Sequence, residues 1–219
     1  MKENSGKYVA IIGDLVGSRD APDRAALQSK LNDSLSAANK KFTHRLFSKF
    51  ILTAGDEFQA IAEYVVTAFK ITQILKDELF PHPVRFGIGY GSLKIFPEDR
   101  EFAIGFDGEA FWRARTAIEE SKKCGVSVVF HTGTEYDEIL KSIQRGIDWI
   151  AENRTHKQAT AAILYNNGLD QKEIAERMNT KQPGITRFLK KGGYFVEKDL
   201  SGAIIKAIEI LSHGINNLQ

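Results

Sequence analysis

The first 130 residues alternate between short apolar runs typical of β-strands and longer segments whose apolar residues have helical spacing. The first run is YVAIIGDLV at residues 8–16, and leucines at helical spacing follow along residues 22–42. The next two runs flank a Gly-Asp turn and are typical of a hairpin. The predicted elements from the hairpin onward are strands 47–53 and 57–62, helix 64–79, strand 84–93, a strand near 102–105, helix 108–122 and strand 126–130. This mixture predicts an α+β sandwich.

One predicted strand has a face made almost only of glycine. In VRFGIGYGSL, residues 84–93, the apolar side chains alternate with Gly87, Gly89 and Gly91. A strand with a bare glycine face usually lets another group approach its backbone closely. The sequence leaves open whether that group is a packed helix or a ligand.

The composition is that of a globular protein without disulfide bonds. At 219 residues with 42% hydrophobic content, the chain is long enough for one good core and a small second one. Its single cysteine, Cys124, excludes an intramolecular disulfide framework, and the apolar run near the start is too short for a signal peptide. No run is long enough to span a membrane. We therefore expect a soluble, cytoplasmic protein with no membrane partner.

The net charge of +2 is distributed unevenly along the chain. Residues 1–152 carry 20 Lys/Arg against 22 Asp/Glu, whereas residues 153–219 carry 10 against 6. The basic excess in the last third fits either a solvated surface or a nucleic-acid partner.

Two aspartates each follow a glycine at the end of a strand-like run, Asp14 in IIGDLVGS and Asp56 in ILTAGDEFQ. If the two strands are neighbours, the carboxylates converge at one edge of the sheet. Mg²⁺ or Mn²⁺ prefers one or two carboxylates together with water and phosphate oxygens, so the pair predicts a metal and nucleotide site. The alternative is that each aspartate only accepts backbone N–H bonds within its own turn.

The residues after Asp14 suit a phosphate group. Gly17 and Ser18 allow the backbone to bend so that its N–H groups face a triphosphate. Arg19 or Arg24 then supplies positive charge.

These motifs resemble a known superfamily. IIGDLVGS is similar to the first strand of class III nucleotidyl cyclases, and AGDEFQ is similar to their second-metal hairpin and to the hairpin of GGDEF-type diguanylate cyclases. VRFGIGYG resembles the glycine-rich strand that follows, and GEAFWRAR, residues 108–115, corresponds to the helix carrying the transition-state residues. The resemblance covers residues 8–130 and implies a nucleotidyl-cyclase-like sandwich with a ferredoxin-like palm. Over its whole length the chain is most similar to the SatD family.

The resemblance implies roles for individual residues. Asp14 and Asp56 take the metal-ligand positions, with Glu57 as the second acid of the hairpin. The implied nucleotide-binding residues are Gly17, Ser18, Arg19 and Arg115. The related cyclases build their sites across a subunit interface, which implies a homodimer.

Three positions depart from the cyclase pattern. Leu52 stands where class III cyclases place a lysine that reads the purine, and Trp112 and Thr116 stand where they place an asparagine and an arginine. Losing one electrostatic donor from a transition state typically costs about 10² to 10³ in rate. The sequence therefore predicts an intact metal-binding half of the site and a degenerate base-reading and catalytic half.

The last third is predicted to be all helical. A helix ends near Gly168, Asp170 and Glu173 form a capping-box pattern for a second helix, and Pro183 lies in the first turn of a third. This spacing resembles a helix-turn-helix in which the third helix enters the DNA major groove. The alternative is a helical bundle that caps the first domain or dimerises without touching DNA.

Residues 171–192 carry six basic and two acidic side chains. Lysine and arginine contact phosphates, whereas short polar side chains reach base edges. The candidate DNA-binding residues are Lys181, Gln182, Thr186, Arg187, Lys190 and Lys191.

The sequence thus predicts a cyclase-like nucleotide-binding domain at residues 1–133, a helical connector at 134–154 and a helix-turn-helix DNA-binding domain at 155–219. The predicted function is a cytoplasmic regulator that couples metal and nucleotide binding to DNA binding. The alternative is an active, Mg²⁺-dependent nucleotidyl cyclase or nucleotidyltransferase with a non-standard substrate, and the sequence leaves enzymatic activity open.

Overall fold

The computed structural model describes residues 6–216, except for the side chains of Ala54 and of residues 212–216. The chain forms two compact units, which we call the sheet unit (residues 6–141 and 208–216) and the helical unit (Ser142–Ala207). No helix in the described part of the chain is both long and apolar enough to cross a membrane.

The sheet unit is built on one five-stranded sheet with the order β2-β3-β1-β4-β5. All neighbouring strands are antiparallel except β4 and β5, which are parallel. The strands are β1 (Lys7–Leu15), β2 (Leu46–Ala54), β3 (Glu57–Ala62), β4 (Val84–Ser92) and β5 (Val128–His131). The helices are α1 (Arg24–Lys41), α2 (Val65–Leu79) and α3 (Glu109–Cys124). The predicted mixed α+β class is confirmed, and β1-α1-β2-β3-α2-β4 follow the order of a ferredoxin-like unit.

Apolar side chains on β1 point alternately to the two faces of the sheet, and helices cover both faces. One face packs Ala10 and Ile12 against α3, in a cluster with Ala114 and Ile118. On the opposite face the Phe69 ring of α2 lies 5.8 Å from the Phe130 ring of β5. The sheet is therefore the middle layer between α3 on one side and α2 on the other.

Helix α3 packs on the glycine face of β4. A Cβ atom added at Gly87 would lie 2.3 Å from the carbonyl oxygen of Ala114, and one added at Gly89 would lie 2.2 Å from that of Ala110. Only glycine lets the helix backbone come this close. Of the two alternatives for this face, the structure shows a packed helix rather than a ligand.

The predicted strand near residues 102–105 is wrong. Phe102 forms only an isolated bridge with Lys49 of β2, through Lys49 N–H to Glu101 O at 2.8 Å and Ala103 N–H to Lys49 O at 3.0 Å. Gly105 follows with a φ of 77°, a left-handed conformation that turns the chain away from β2 before a ladder can form. The apolar residues here belong to the connection between β4 and α3 and not to a strand.

The chain continues as five helices: α4 (Tyr136–Glu152), α5 (His156–Asn166), α6 (Gln171–Arg177), α7 (Gln182–Lys191) and α8 (Tyr194–Asn216). The boundaries between the two units fall within α4 and α8. Helix α6 begins with the predicted capping box, in which Asp170 accepts from the Glu173 N–H and Glu173 accepts from the Asp170 N–H. The core shared by α5, α6 and α7 contains Ala161, Ala162, Ile174, Ala175, Ile185 and Leu189.

Candidate functional site

Three charged residues lie side by side at one end of the sheet. Asp14, near the end of β1, is the cross-strand neighbour of Glu57 on β3 and of Arg85 on β4. By the alternation along β1, Asp14 lies on the same face as Ala10 and Ile12, which is the face covered by α3. Helix α3 contributes Lys122, whose Nζ lies 3.8 Å from Asp14 Oδ2.

The Asp14 carboxylate is in an environment that disfavours its charge. Its pKa is raised above the ordinary value, chiefly because burial removes water from the carboxylate. Lys122 opposes this shift, while the negative charges of Asp56 and Glu57 add to it. The negative charge of Asp56, in the turn between β2 and β3, therefore acts unfavourably on a charged Asp14. A cation between them would relieve that repulsion.

Asp56 lies in the β2–β3 turn beside the predicted phosphate loop. Its Oδ2 accepts a hydrogen bond from the buried hydroxyl of Ser18. Gly17, with a φ of 69°, precedes a single 3₁₀ turn at Ser18–Asp20, in which Arg19 is exposed. The structure therefore brings the Ser18 side chain into contact with Asp56.

A small pocket adjoins this loop on the α1 side. Gln28 of α1 donates to the Gly55 carbonyl at 3.1 Å, which ties the tip of the hairpin to the helix. The pocket combines an apolar floor with polar groups at its mouth: Leu15, Leu27 and Leu31, with Ser18, Arg24, Gln28 and Asp56.

Glu57 and Arg115, predicted as a metal ligand and a nucleotide-binding residue, bind each other. Arg115 donates from Nη1 to Glu57 Oε2 at 2.5 Å and from Nη2 to Oε1 at 2.8 Å. The pKa of Arg115 is raised, first of all by this hydrogen bonding. The Glu57 side chain is only 16% exposed, whereas that of Arg115 is 48% exposed. The guanidinium thus covers the carboxylate from the solvent side.

The three positions that depart from the cyclase pattern carry no charged donor. Trp112 Nε1 donates to Asp107 Oδ1 at 2.8 Å, and Thr116 Oγ1 donates to the Trp112 carbonyl of its own helix at 2.9 Å. Leu52 is paired with Phe58 across the hairpin.

The donor set fits a hard divalent cation that keeps other ligands. Within residues 6–216, no three His, Cys, Asp or Glu side chains form a group that could hold a metal unaided. Mg²⁺ commonly takes one or two carboxylates and fills its octahedron with water and substrate phosphate. Asp14 and Asp56 match that requirement.

Two cations of the site were missed by the sequence reasoning. Lys122 lies seven residues after Arg115, and a separation of seven residues returns to the same side of an α-helix. That spacing could have marked Lys122. Arg85 occupies the one non-glycine position of the glycine face, which is an equally visible signal.

The candidate DNA-binding residues lie on or just before α7. Five of them are exposed: Lys181, Gln182, Arg187, Lys190 and Lys191. Thr186 is half-buried, and its hydroxyl donates to Gln171 Oε1 of α6 at 2.6 Å. This bond holds α7 to α6, so Thr186 is less available than its neighbours.

Solved structures similar to this chain at low identity include adenylyl and guanylyl cyclases. A bacterial light-regulated adenylyl cyclase is 14% identical and covers 59% of this chain and 78% of its own, with a TM-score of 0.44. The adenylyl cyclase CyaB from P. aeruginosa is 16% identical and covers 62% and 81%, with a TM-score of 0.41. The guanylate cyclase domain of RhGC from Catenaria anguillulae is 14% identical and covers 52% and 72%, with a TM-score of 0.39.

A comparison with curated proteins gives no match. The model of the SatD family matches residues 8–199, which is most of the sequence. The chain therefore belongs to the SatD family.

Proposed function

We propose that the sheet unit binds a divalent metal together with a nucleotide phosphate, and that the helical unit binds DNA, so that the protein is a nucleotide-responsive regulator. One observation carries the first half. Asp56 of the β2–β3 turn accepts from Ser18 of the Gly17–Ser18 turn, and its negative charge adds to the raised pKa of Asp14 on β1. A divalent cation would offset the charge of both carboxylates at once and would also bind phosphate oxygens.

Each part of a metal-bound phosphate has a partner in this arrangement. Asp14 and Asp56 would hold the metal, and backbone N–H groups after Gly17 would face the phosphate oxygens. The exposed Arg19 would add positive charge from the rim of the loop. The metal, when bound, would neutralise phosphate charge and fix the phosphate against the loop.

Binding is favoured over turnover by one residue of β2 and three residues of α3. Leu52, Trp112 and Thr116 supply no charged group to a base or a transition state, and Arg115 is engaged with Glu57. The second candidate is an active nucleotidyl cyclase or nucleotidyltransferase, since the two carboxylates would serve that chemistry equally well.

Calorimetry separates these possibilities. The wild-type protein is titrated with each of the four nucleoside triphosphates in Mg²⁺ and in Mn²⁺, and pyrophosphate release is measured in parallel. We expect binding that requires the metal, without pyrophosphate. Metal-dependent pyrophosphate release would favour the enzyme, and no binding of any triphosphate would reject both candidates.

The second half of the proposal is supported by the charge of α7. Arg187, Lys190 and Lys191 are exposed, and no acidic residue lies between Lys181 and Lys191. Helix α7 follows α6 after a short turn containing Asn179 at a φ of 48°, and both helices pack on one apolar core. This arrangement suits a helix-turn-helix whose second helix enters the major groove.

Replacing Arg187 and Lys190 together by alanine is expected to weaken DNA binding about tenfold and to reduce its salt dependence. Each phosphate contact contributes about one unit to the slope of log K against log salt, so the slope should fall by about two. Fluorescence anisotropy with random-sequence duplex DNA over a series of salt concentrations measures both effects.

The matched control replaces Lys157 and Lys206, two exposed lysines on α5 and α8. It removes the same charge from outside α7, so the slope should stay near the wild-type value. An unchanged slope in the α7 variant, or an equal loss in both variants, would argue against α7 as the DNA-contacting helix.

A further inference from the structure

The pairing of Glu57 with Arg115 bears on how many metal ions the site holds, and the inference drawn from it rests on the proposed function. Glu57 has both carboxylate oxygens engaged by one guanidinium, at 2.5 and 2.8 Å. Asp56 accepts from the neutral hydroxyl of Ser18. Asp14 has the Lys122 ammonium 3.8 Å from its Oδ2. Of the three acids, Glu57 therefore has its charge most fully balanced by a cation of the protein.

We propose that Arg115 is a built-in cation that takes the place of a second metal, so that the site binds a single divalent ion through Asp14 and Asp56. Glu57 is then the anchor of Arg115 rather than a metal ligand.

Charge and geometry support this assignment. Asp14 and Glu57 are directly opposite each other on antiparallel strands, where two like charges destabilise the pairing unless a cation lies nearby. An arginine side chain stays protonated in proteins, and its planar fork matches a carboxylate with two parallel bonds. A dication approaching Glu57 would meet that permanent positive charge. At Asp14 the Lys122 ammonium is 3.8 Å away, beyond hydrogen-bond distance, and Asp56 accepts from a neutral hydroxyl, so both carboxylates oppose a dication less than Glu57 does.

The fixed position of Arg115 agrees with a permanent role. Arg115 projects from α3, whose backbone is held against the glycine face of β4 at Gly87 and Gly89. The main chain of Glu57 is held as well, since Thr53 Oγ1 donates to the Glu57 carbonyl at 3.2 Å. Both ends of the ion pair are thus attached to packed elements.

The test counts bound Mn²⁺ by electron paramagnetic resonance, in the presence of inorganic tripolyphosphate, which offers the phosphates without a base. The wild-type protein should bind one Mn²⁺ per chain. The double variant Arg115→Gln plus Glu57→Gln removes both charges of the ion pair. It should still bind one Mn²⁺, with an affinity within about threefold of wild type. The single Arg115→Gln change should expose Glu57 and admit a second Mn²⁺. Lys123→Gln, at an exposed position of the same helix, is the control for loss of one positive charge.

The number of bound Mn²⁺ ions and their affinity decide whether Arg115 takes the place of a second metal. Two Mn²⁺ ions in the wild-type protein would overturn the inference and leave the proposed function standing. A tenfold or greater loss of affinity in the double variant would do the same, because that is the scale expected when a residue supporting the metal is removed. Should the single variant fail to fold, the double variant still gives the answer. If the wild-type protein binds no more Mn²⁺ than Asp56→Asn does, the proposed metal site itself fails.

Discussion

Replacing Asp56 with asparagine is expected to lower the affinity for a metal–nucleotide complex about a hundredfold and to leave the fold intact. The change removes one of two proposed ligand charges, and losses of 10-fold to 100-fold follow even from changes in residues that only support a metal ligand. An asparagine oxygen can still accept the Ser18 hydroxyl, so the turn should keep its local contact. Calorimetry with Mg²⁺ and the best-binding triphosphate measures the affinity, and thermal unfolding checks the fold.

Asp20→Asn is the matched control for this change. Asp20 is exposed in the same loop region, at the end of the 3₁₀ turn. Its replacement removes an equal charge without changing Asp14 or Asp56. It should change the affinity by less than about threefold, since exposed charges interact weakly through water. If the Asp56 variant binds as tightly as wild type, the two aspartates are turn residues and the metal site is rejected.

Replacing Gly89 with alanine is expected to destabilise the sheet unit by about 3 kcal/mol, the upper end of the usual cost of overpacking. The new Cβ would lie 2.2 Å from both the Ala110 carbonyl oxygen and the Ala114 nitrogen, far inside van der Waals contact. Both are helix backbone atoms, so α3 as a whole has to move away from β4. Denaturant unfolding followed by circular dichroism measures the loss.

Gly91→Ala tests whether the cause is the helix backbone rather than the strand. Gly91 lies on the same face of the same strand, but an added Cβ there meets the side chain of Glu109, at 2.7 Å from its Cγ. The Glu109 Cγ and carboxylate can rotate away and its Cβ, at 2.9 Å, needs only a small shift, so we expect a smaller loss than for Gly89→Ala. Equal losses at both positions would mean that close packing of α3 does not account for the glycines.

The elements of the fold were largely predictable because their signals are local. Period-two and period-3.6 patterns mark β1, the β2–β3 hairpin and helices α1 to α3, and the capping pair Asp170 and Glu173 marks the start of α6. The wrong strand near residues 102–105 shows the limit of such signals. The apolar run there forms one isolated bridge to β2, and no local pattern distinguishes that from a ladder.

The candidate site was predictable only in part. A glycine followed by an aspartate at the ends of two strands was enough to suggest that Asp14 and Asp56 meet. The pairing of Glu57 with Arg115 was not predictable, because it joins residues 58 positions apart and depends on the distance between α3 and the sheet. The same holds for Lys122, which reaches Asp14 from the far end of the helix.

By itself, the sequence determined the α+β class, the succession of strands and helices, the acids at two strand ends and the basic character of α7. Each of these follows from the chemistry of residues close together in the chain. Only the tertiary structure decided that the glycine face of β4 receives α3, and that a cation of that helix binds one of the three acids. The reason is that strand register and the depth of helix packing bring into contact residues that are far apart in the chain.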